Sequence, residues 1–449
     1  MKDFTKGPEG SSINLFTIPM LLGSICLQFY NIVNSAVVGR FLGKEALAAV
    51  GASYPIIFLL VSVVIGIGSG GTVLVSQYLG AGDRGNIRKT IDTTYFFLLI
   101  SGLILTVIGV YFTPTIFRLI NLPEDVFTDA VNYFRVYLLG LIFMFGFNAI
   151  SSVLRGLGDS KTPLYYLIVS NIVNLILSVL FIGVFRWDVK FSAWASVISQ
   201  GLAFFALNFH MSKTTKIASF KLKRLKWDRT IFKHVIRIGL PTGIQQSFVA
   251  LGQVALMGIV NGFGTPVIAA YGAVMRLDSF ATMPAMNFSQ AFTTFVAQNL
   301  GANKTSRIRK GLRSVQKTNL YISLTIGVCF LLFGKQLMSL FTLDTEVIKI
   351  GNEFLMICGL FYCVFSFMFI FTGLFRGAGD TLVPMFITLF SLWLIRIPAA
   401  YFLAGEFGYI GIWIAIPLGW IFGAAGSIIY YKKGNWRNKV VVKHSPTDI

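Results

Sequence analysis

Long apolar runs alternate with short polar segments from one end of the 449-residue chain to the other. Many of the apolar runs reach about 20 residues, the length that an α-helix needs to cross roughly 30 Å of hydrocarbon. The pattern therefore predicts an all-α polytopic membrane protein with twelve transmembrane helices. The predicted spans lie near residues 14–39, 47–78, 92–112, 130–153, 163–185, 191–211, 236–260, 268–299, 317–340, 348–374, 384–404 and 408–431.

Composition agrees with a membrane protein. Hydrophobic residues make up 55% of the chain and charged residues only 12%, about half the charged fraction of a typical soluble protein. The net charge of +20 raises the possibility of nucleic-acid binding. Most Lys and Arg residues, however, fall in every second connection and in the two termini, which is the positive-inside pattern. The termini are therefore predicted to be cytoplasmic, and no nucleic acid is expected as a partner.

The two halves of the chain repeat each other. "VLVSQYLGAGDRGNIRKTI" (73–91) aligns with "TFVAQNLGANKTSRIRKGL" (294–312), and "LRGLGDSKTPLYYLI" (154–168) aligns with "FRGAGDTLVPMFITL" (375–389), both at an offset of 221. Repeats of this kind are common in secondary transporters, with the substrate path between the halves. We predict an N-terminal six-helix lobe, a basic cytoplasmic linker, a C-terminal six-helix lobe and a cytoplasmic tail, at residues 1–212, 213–235, 236–431 and 432–449.

Four segments carry a family resemblance: "IPMLLGSICLQFYNIVNSAVVGRFLGKEALAAVGASYPI", "VLVSQYLGAGD", "VLRGLGDSKTP" and "RLDSFATMPAMNFSQAFTTFVAQNLGA". In combination the chain resembles the bacterial MATE (multidrug and toxic compound extrusion) transporters of the MOP flippase superfamily. The resemblance implies two six-helix lobes and export of amphipathic or cationic compounds by proton- or sodium-coupled antiport with alternating access. The alternative is a flippase of the same superfamily for lipid-linked oligosaccharides or lipids.

The same resemblance sets expectations for location and partners. It implies a multi-pass protein of the bacterial cytoplasmic (inner) membrane that meets small-molecule substrates and membrane lipid, and a monomer is expected. An enzyme would need an acid/base pair, an activated nucleophile or metal ligands on facing helices, and no such pattern is found. No enzymatic activity, metal site or cofactor is expected, apart from H⁺ or Na⁺ as the coupling ion.

The first and fifth helices depart from the family pattern. In many relatives the first helix reads Tyr-Asn-x-x-Asp, whereas Asn34 holds the place of the acid here, and Ser178 holds the place of a second acid in the fifth helix. An amide cannot exchange a proton at accessible pH, but its oxygen can bind sodium and its hydrogens can bind a substrate. The polar residues predicted to line this N-lobe pocket are Gln28, Asn31, Asn34, Asn171, Asn174 and Ser178.

A structural role is the competing interpretation of these amides and hydroxyls. Polar side chains in membrane helices often join helices through hydrogen bonds that contribute about 1 kcal/mol each. The sequence leaves both interpretations open for every member of the set.

In the second half, ionisable residues remain inside the predicted spans. Asp278 and Arg276 lie in the eighth span and Arg396 in the eleventh. A charge in hydrocarbon costs about 2.5 kcal/mol or more, so each should be paired or face water. Either an arginine neutralises Asp278 in a static ion pair, or Asp278 is the exchangeable acid of the transporter. The remaining predicted pocket residues are Gln246, Gln253 and Met286.

The run "GIGSGG" (66–71) superficially resembles a phosphate-binding loop. It lies inside an apolar span with no preceding strand, however. We therefore interpret it as a site of close helix packing or a bend.

Overall fold

The structure, a computed structural model, describes residues 2–215 and 226–442. Almost all of this described part is helical, and it contains no strand. The α-helices are α1 Glu9–Gly80, α2 Arg84–Leu119, α3 Glu124–Leu139, α4 Leu141–Gly156, α5 Lys161–Ser178, α6 Lys190–Thr214, α7 Arg229–Val260, α8 Thr265–Gly301, α9 Thr305–Ser339, α10 Thr345–Gly359, α11 Tyr362–Ala378, α12 Leu382–Leu389, α13 Ile397–Phe407 and α14 Tyr409–Lys433. Two π-helical turns, Val179–Val184 and Phe390–Arg396, and two short 3₁₀ turns, Asn261–Phe263 and Trp436–Lys439, complete it.

These helices account for all twelve predicted spans. In the described residues, seven helices are long and apolar enough to cross a membrane, and the bent pairs α3–α4 (45°) and α10–α11 (54°) raise the number to nine. Gly43, with a φ of 86° that favours glycine, divides α1 into two crossings. Helices α6 and α8, with 25 and 37 residues, are long enough to supply the last two. The all-α, twelve-helix prediction is confirmed.

The chain forms two compact units. The first consists of residues 1–2 and 18–243, and the second of residues 3–17 and 244–449. The lobe boundaries predicted from the repeat stay a prediction. Part of the predicted basic linker, residues 216–225, and the end of the predicted tail, residues 443–449, lie outside the described residues.

Specific contacts explain why residues 3–17 belong to the second unit. The Phe4 ring is fully buried, its amide donates to Gln298 Oε1 at 3.0 Å, and Asn299 Nδ2 donates to its carbonyl at 3.1 Å. Arg307 forms an ion pair with Glu9 at 3.4 Å. The start of the chain is therefore held by the turn between α8 and α9.

The start of α7 is fixed within the first unit. The Trp227 ring packs on Phe96 of α2 at 5.3 Å between centroids, and Asp228 pairs with Lys89 at 3.6 Å. Asp228 also caps α7 by accepting the Ile231 amide at 3.0 Å. This hydrogen bond holds the pKa of Asp228 below its usual value, so the cap stays ionised at neutral pH.

Glycines join α1 and α7 inside the first unit. A Cβ placed on Gly66 would lie 2.6 Å from the Gly239 carbonyl oxygen and 2.6 Å from the Gly243 nitrogen, so the two backbones touch directly. Small residues four apart on each helix allow this approach. The interpretation of "GIGSGG" as a packing site is confirmed.

The sequence repeat extends to individual hydrogen bonds. In the first unit, Thr72 Oγ1 donates to the Ser152 carbonyl at 2.8 Å. In the second unit, Thr293 Oγ1 donates to the Gly373 carbonyl at 3.0 Å, and both partners are displaced by the same 221 positions. Each unit therefore uses this equivalent hydroxyl, among others, to join the helix that ends at its first glycine-rich turn to the helix two crossings later.

We predict that Gly66→Ala destabilises the protein whereas Gly51→Ala does not. Both glycines lie in α1, but no atom lies within 4 Å of a Cβ on Gly51. Forcing apart two packed backbones costs on the order of 1–3 kcal/mol, while alanine otherwise favours a helix. Thermal unfolding midpoints in detergent measure the difference. Equal midpoints for the two variants would contradict the packing role of Gly66.

Candidate functional site

A cluster of amides and hydroxyls lies inside the first unit, where α1, α5 and α6 meet. Ser178 Oγ is 3.1 Å from Asn174 Oδ1 and 3.3 Å from Asn34 Oδ1. Asn174 Nδ2 donates to Ser196 Oγ at 3.0 Å and to Ser199 Oγ at 3.2 Å. We call these five residues the neutral cluster. Asn174 and Ser178 are almost completely buried.

The centre of the neutral cluster contains more hydrogen-bond acceptors than donor hydrogens. Ser178 has one hydroxyl hydrogen but faces two amide oxygens, so it can satisfy only one of them at a time. Asn174 uses both amide hydrogens on the serines of α6, and those serines donate to backbone carbonyls of their own helix. One amide oxygen is therefore left to accept from another group or to bind a cation.

Helix regularity ends at this point of α5. Ser178 is the last residue of α5, and the π-helical turn Val179–Val184 follows at once. Such turns alter the i→i+4 hydrogen-bond pattern and are frequent at functional sites. The turn places Ser178 where the helix can change its local geometry.

The serines of α6 are not among the pocket residues predicted from the sequence. Ser192, Ser196 and Ser199 recur at spacings of four and three residues, so they form a polar stripe along one side of α6. This stripe was the available signal. A small, partly open cleft is lined by Ser196 together with Tyr137, Met144 and Gln200.

The other predicted residues of the first unit are not joined to the neutral cluster. Gln28 is half-buried and Asn31 exposed, and neither forms a side-chain hydrogen bond in residues 2–215 and 226–442. The Nδ2 atom of Asn171 is buried without a partner among the described residues. Their assignment to a pocket stays a prediction.

The second unit contains an acid bound by a tyrosine. The Tyr362 hydroxyl donates to Asp278 Oδ1 at 2.7 Å, which joins α8 to the start of α11. Tyr362 is 1% exposed, and its ring packs against Trp420 with a centroid separation of 5.5 Å. A short hydrogen bond from a buried donor fixes the orientation of the carboxylate.

The arginines do not form the predicted static ion pair. Across the described residues, no nitrogen of Arg276 or Arg396 lies within 4.0 Å of a carboxylate oxygen. Arg276 is exposed, whereas Arg396 is half-buried at the end of the π-helical turn Phe390–Arg396 and acts on Asp278 only over a longer distance. The ion-pair alternative therefore has no direct contact to support it.

The remaining predicted residues, Gln246, Gln253 and Met286, are half-buried or exposed. The glutamine of α7 that is built into the second unit is Gln245. Its Nε2 donates to Thr388 Oγ1 at 2.6 Å, and its Oε1 accepts from Arg376 at 2.5 Å. Because Gln245 and Gln246 are adjacent in the sequence, the sequence does not indicate which of them faces the helix bundle.

Comparisons with known proteins agree with this fold. The MatE family model matches the chain twice, over residues 19–180 and 241–402. Two proteins of Bacillus subtilis (strain 168), both described as probable multidrug resistance proteins, are similar over nearly their full length. YoeA is 34% identical over 442 residues, covering 96% of this chain and 95% of its own, and YpnP is 31% identical over 438 residues, covering 97% of each.

A solved structure shows the same fold. A mutant of the Vibrio cholerae MATE transporter VcmN is 23% identical, and the match covers 95% of this chain and 98% of that chain with a TM-score of 0.90. Within the described residues, no group of three or more His, Cys, Asp or Glu side chains is placed to hold a metal ion. The double family match and the full-length relatives show that the chain is a multi-pass cell-membrane transporter of the MATE (multidrug and toxic compound extrusion) family.

Proposed function

We propose that this protein is a secondary active exporter of amphipathic or cationic compounds, driven by antiport of H⁺ or Na⁺. The observation that carries the proposal is the Asp278 carboxylate, held by Tyr362 in the membrane-spanning part of the second unit. The multidrug resistance descriptions of the relatives support small molecules as substrates.

Asp278 has the chemistry that coupling requires. A carboxyl group exchanges a proton or binds a cation, and an acid in a membrane helix most often marks an ion or substrate path. Tyr362 fixes one carboxylate oxygen, which leaves the second for a proton, a sodium ion or a cationic substrate. Arg396 adds a positive potential without occupying the carboxylate.

The neutral cluster takes a different role in this proposal. Its amide and hydroxyl oxygens are ligands for sodium or hydrogen-bond partners for a substrate, but none of them exchanges a proton at physiological pH. Proton coupling would then depend on the second unit alone, whereas sodium coupling can use both units. The choice between H⁺ and Na⁺ is left to experiment.

Alternating access follows from the repeat under this proposal. In transporters built from two repeats, one repeat can rock against the other, so that the substrate site opens to one side of the membrane at a time. Under this proposal the protein works as a monomer in the bacterial cytoplasmic membrane. Both termini lie in the cytoplasm, because that orientation satisfies the positive-inside pattern.

We predict that Asp278→Asn abolishes gradient-driven transport. Purified protein in proteoliposomes would be supplied with a fluorescent organic cation under an imposed pH gradient and, separately, an imposed sodium gradient. Accumulation by the wild type is expected to fall to the level of empty liposomes in the variant, because an amide cannot exchange the proton or supply the charge.

Glu353→Gln is the matched control for this experiment. Glu353 lies in α10 and also accepts a hydrogen bond from a tyrosine hydroxyl, that of Tyr409 at 2.9 Å, but it lies in the first third of the α10–α11 span. We expect it to retain transport. Full accumulation in well-folded Asp278→Asn would remove Asp278 from the mechanism. No accumulation by the wild type under either gradient would instead favour the flippase alternative.

We further predict that Asn34→Asp changes the pH dependence of transport, because it adds a titratable group beside Ser178. Ser35→Asp, one residue later, exposed and not among the predicted pocket residues, is expected to leave the pH dependence unchanged. Transport measured from acidic to alkaline pH tests both variants. Identical profiles for wild type and correctly folded Asn34→Asp would show that the neutral cluster does not take part in coupling.

A further inference from the structure

The first turns of α9 carry a row of positive charge on one side. At 3.6 residues per turn, four exposed cations fall within an arc of about 100° and span about 12 Å along the axis. The opposite side of the helix is buried through Ile308 and Val315. We call the row the basic stripe; its members are Arg309, Lys310, Arg313 and Lys317.

No described residue neutralises the basic stripe. In residues 2–215 and 226–442, none of its four side chains forms a hydrogen bond or an ion pair. The sequence contains no Asp or Glu between Ser279 and Leu343. The neighbouring cations are occupied instead: Lys304 donates to the Thr5 carbonyl at 3.1 Å, and Arg307 pairs with Glu9 at 3.4 Å.

The equivalent positions of α2 differ in this respect. At the offset of 221, Arg88 and Lys89 correspond to the first two cations of the stripe. Arg88 is held by Asp92 at 3.1 Å, and Lys89 by Asp228 at 3.6 Å. Asp92 occupies the position of Arg313, so one repeat has an acid where the other has a third base.

The side of α9 that carries the stripe continues as an apolar surface. Tyr321, Leu324 and Val328 follow within or close to the same arc and are 60%, 49% and 50% exposed. Lys317 Nζ lies 5.9 Å from the centre of the Tyr321 ring, the arrangement of a cation above an interfacial aromatic residue. Cations, an aromatic ring and aliphatic side chains therefore follow one another along a single helix face.

We propose that this face binds an anionic phospholipid, such as phosphatidylglycerol, in the leaflet next to the α8–α9 turn. The stripe binds the headgroup phosphate, and Leu324 and Val328 contact the acyl chains. The order of charge and apolar surface along α9 matches the order within a phospholipid, which a free phosphate ion cannot match. The corresponding face of α2 also exposes apolar residues, Leu103 (55%) and Val107 (63%), but the cations at the equivalent positions, Arg88 and Lys89, are paired with acids.

Photo-cross-linking tests the site, with α2 as an internal reference. The full-length protein would be reconstituted into nanodiscs of phosphatidylcholine with a minor fraction of diazirine-labelled phosphatidylglycerol, and then with labelled phosphatidylcholine. Labelled peptides would be mapped by mass spectrometry. We expect phosphatidylglycerol to label α9 near Leu324 at least about fivefold more than α2 near Leu103, and phosphatidylcholine to label both equally.

Charge-matched variants separate a site from general surface charge. The triple variant Arg309→Gln, Lys310→Gln, Arg313→Gln is expected to remove the preference for α9. The control Lys432→Gln, Lys433→Gln, Lys439→Gln removes the same charge from exposed positions at the end of α14 and beyond, and is expected to keep it. Equal labelling of α2 and α9 in the wild type, or an equal loss in both variants, would overturn the proposal. Displacement of the lipid by inorganic phosphate would show a simple anion site instead.

Discussion

A polar group in hydrocarbon must find its partner within the protein, and this constraint governs the fold. Water is absent there, and each unsatisfied group costs several kcal/mol. Thr72 and Thr293 meet the constraint by donating to backbone carbonyls of a neighbouring helix. Such hydrogen bonds require two helices to lie close together. The glycine contacts between α1 and α7 also bring two helix backbones into direct contact. A polar atom that remains unsatisfied in this setting therefore requires an explanation, such as a bound ion, a water molecule or a substrate.

The two units satisfy the polar groups of their candidate sites in different ways. The first unit has amide and hydroxyl oxygens that outnumber the available hydrogens around Ser178. The second has a carboxylate whose orientation is fixed by Tyr362. Both sites lie near a π-helical turn, after Ser178 in one unit and ending at Arg396 in the other. Interrupted helix geometry at both sites allows local rearrangement at little cost, which rigid helices would not permit.

The sequence predicted the helices well because their length is set by the bilayer rather than by distant contacts. It predicted the Asn34 and Ser178 neighbourhood through the family pattern. It missed the serines of α6 because short hydroxyl side chains occur equally on packed and functional helix faces. For Asp278 it left open an ion pair with an arginine, because an opposite charge is the obvious partner in a sequence, whereas the direct partner is Tyr362, 84 residues away. Gln245 was missed because helix rotation is set by packing, which one chain does not reveal.

The internal repeat allows each position in one half to be compared with its equivalent in the other half. Two halves with a shared fold and a shared Thr–carbonyl bond face the same physical demands, so a position that differs between them reflects a difference in what each half does. By this reasoning the exchange of the buried acid Asp92 on α2 for the exposed base Arg313 on α9 reflects a difference in function between the two helices. The first neutralises its helix end internally. The second leaves a positive helix face beside the apolar surface of the same helix, and this is the order of charges and apolar groups that an anionic phospholipid complements under the proposal above.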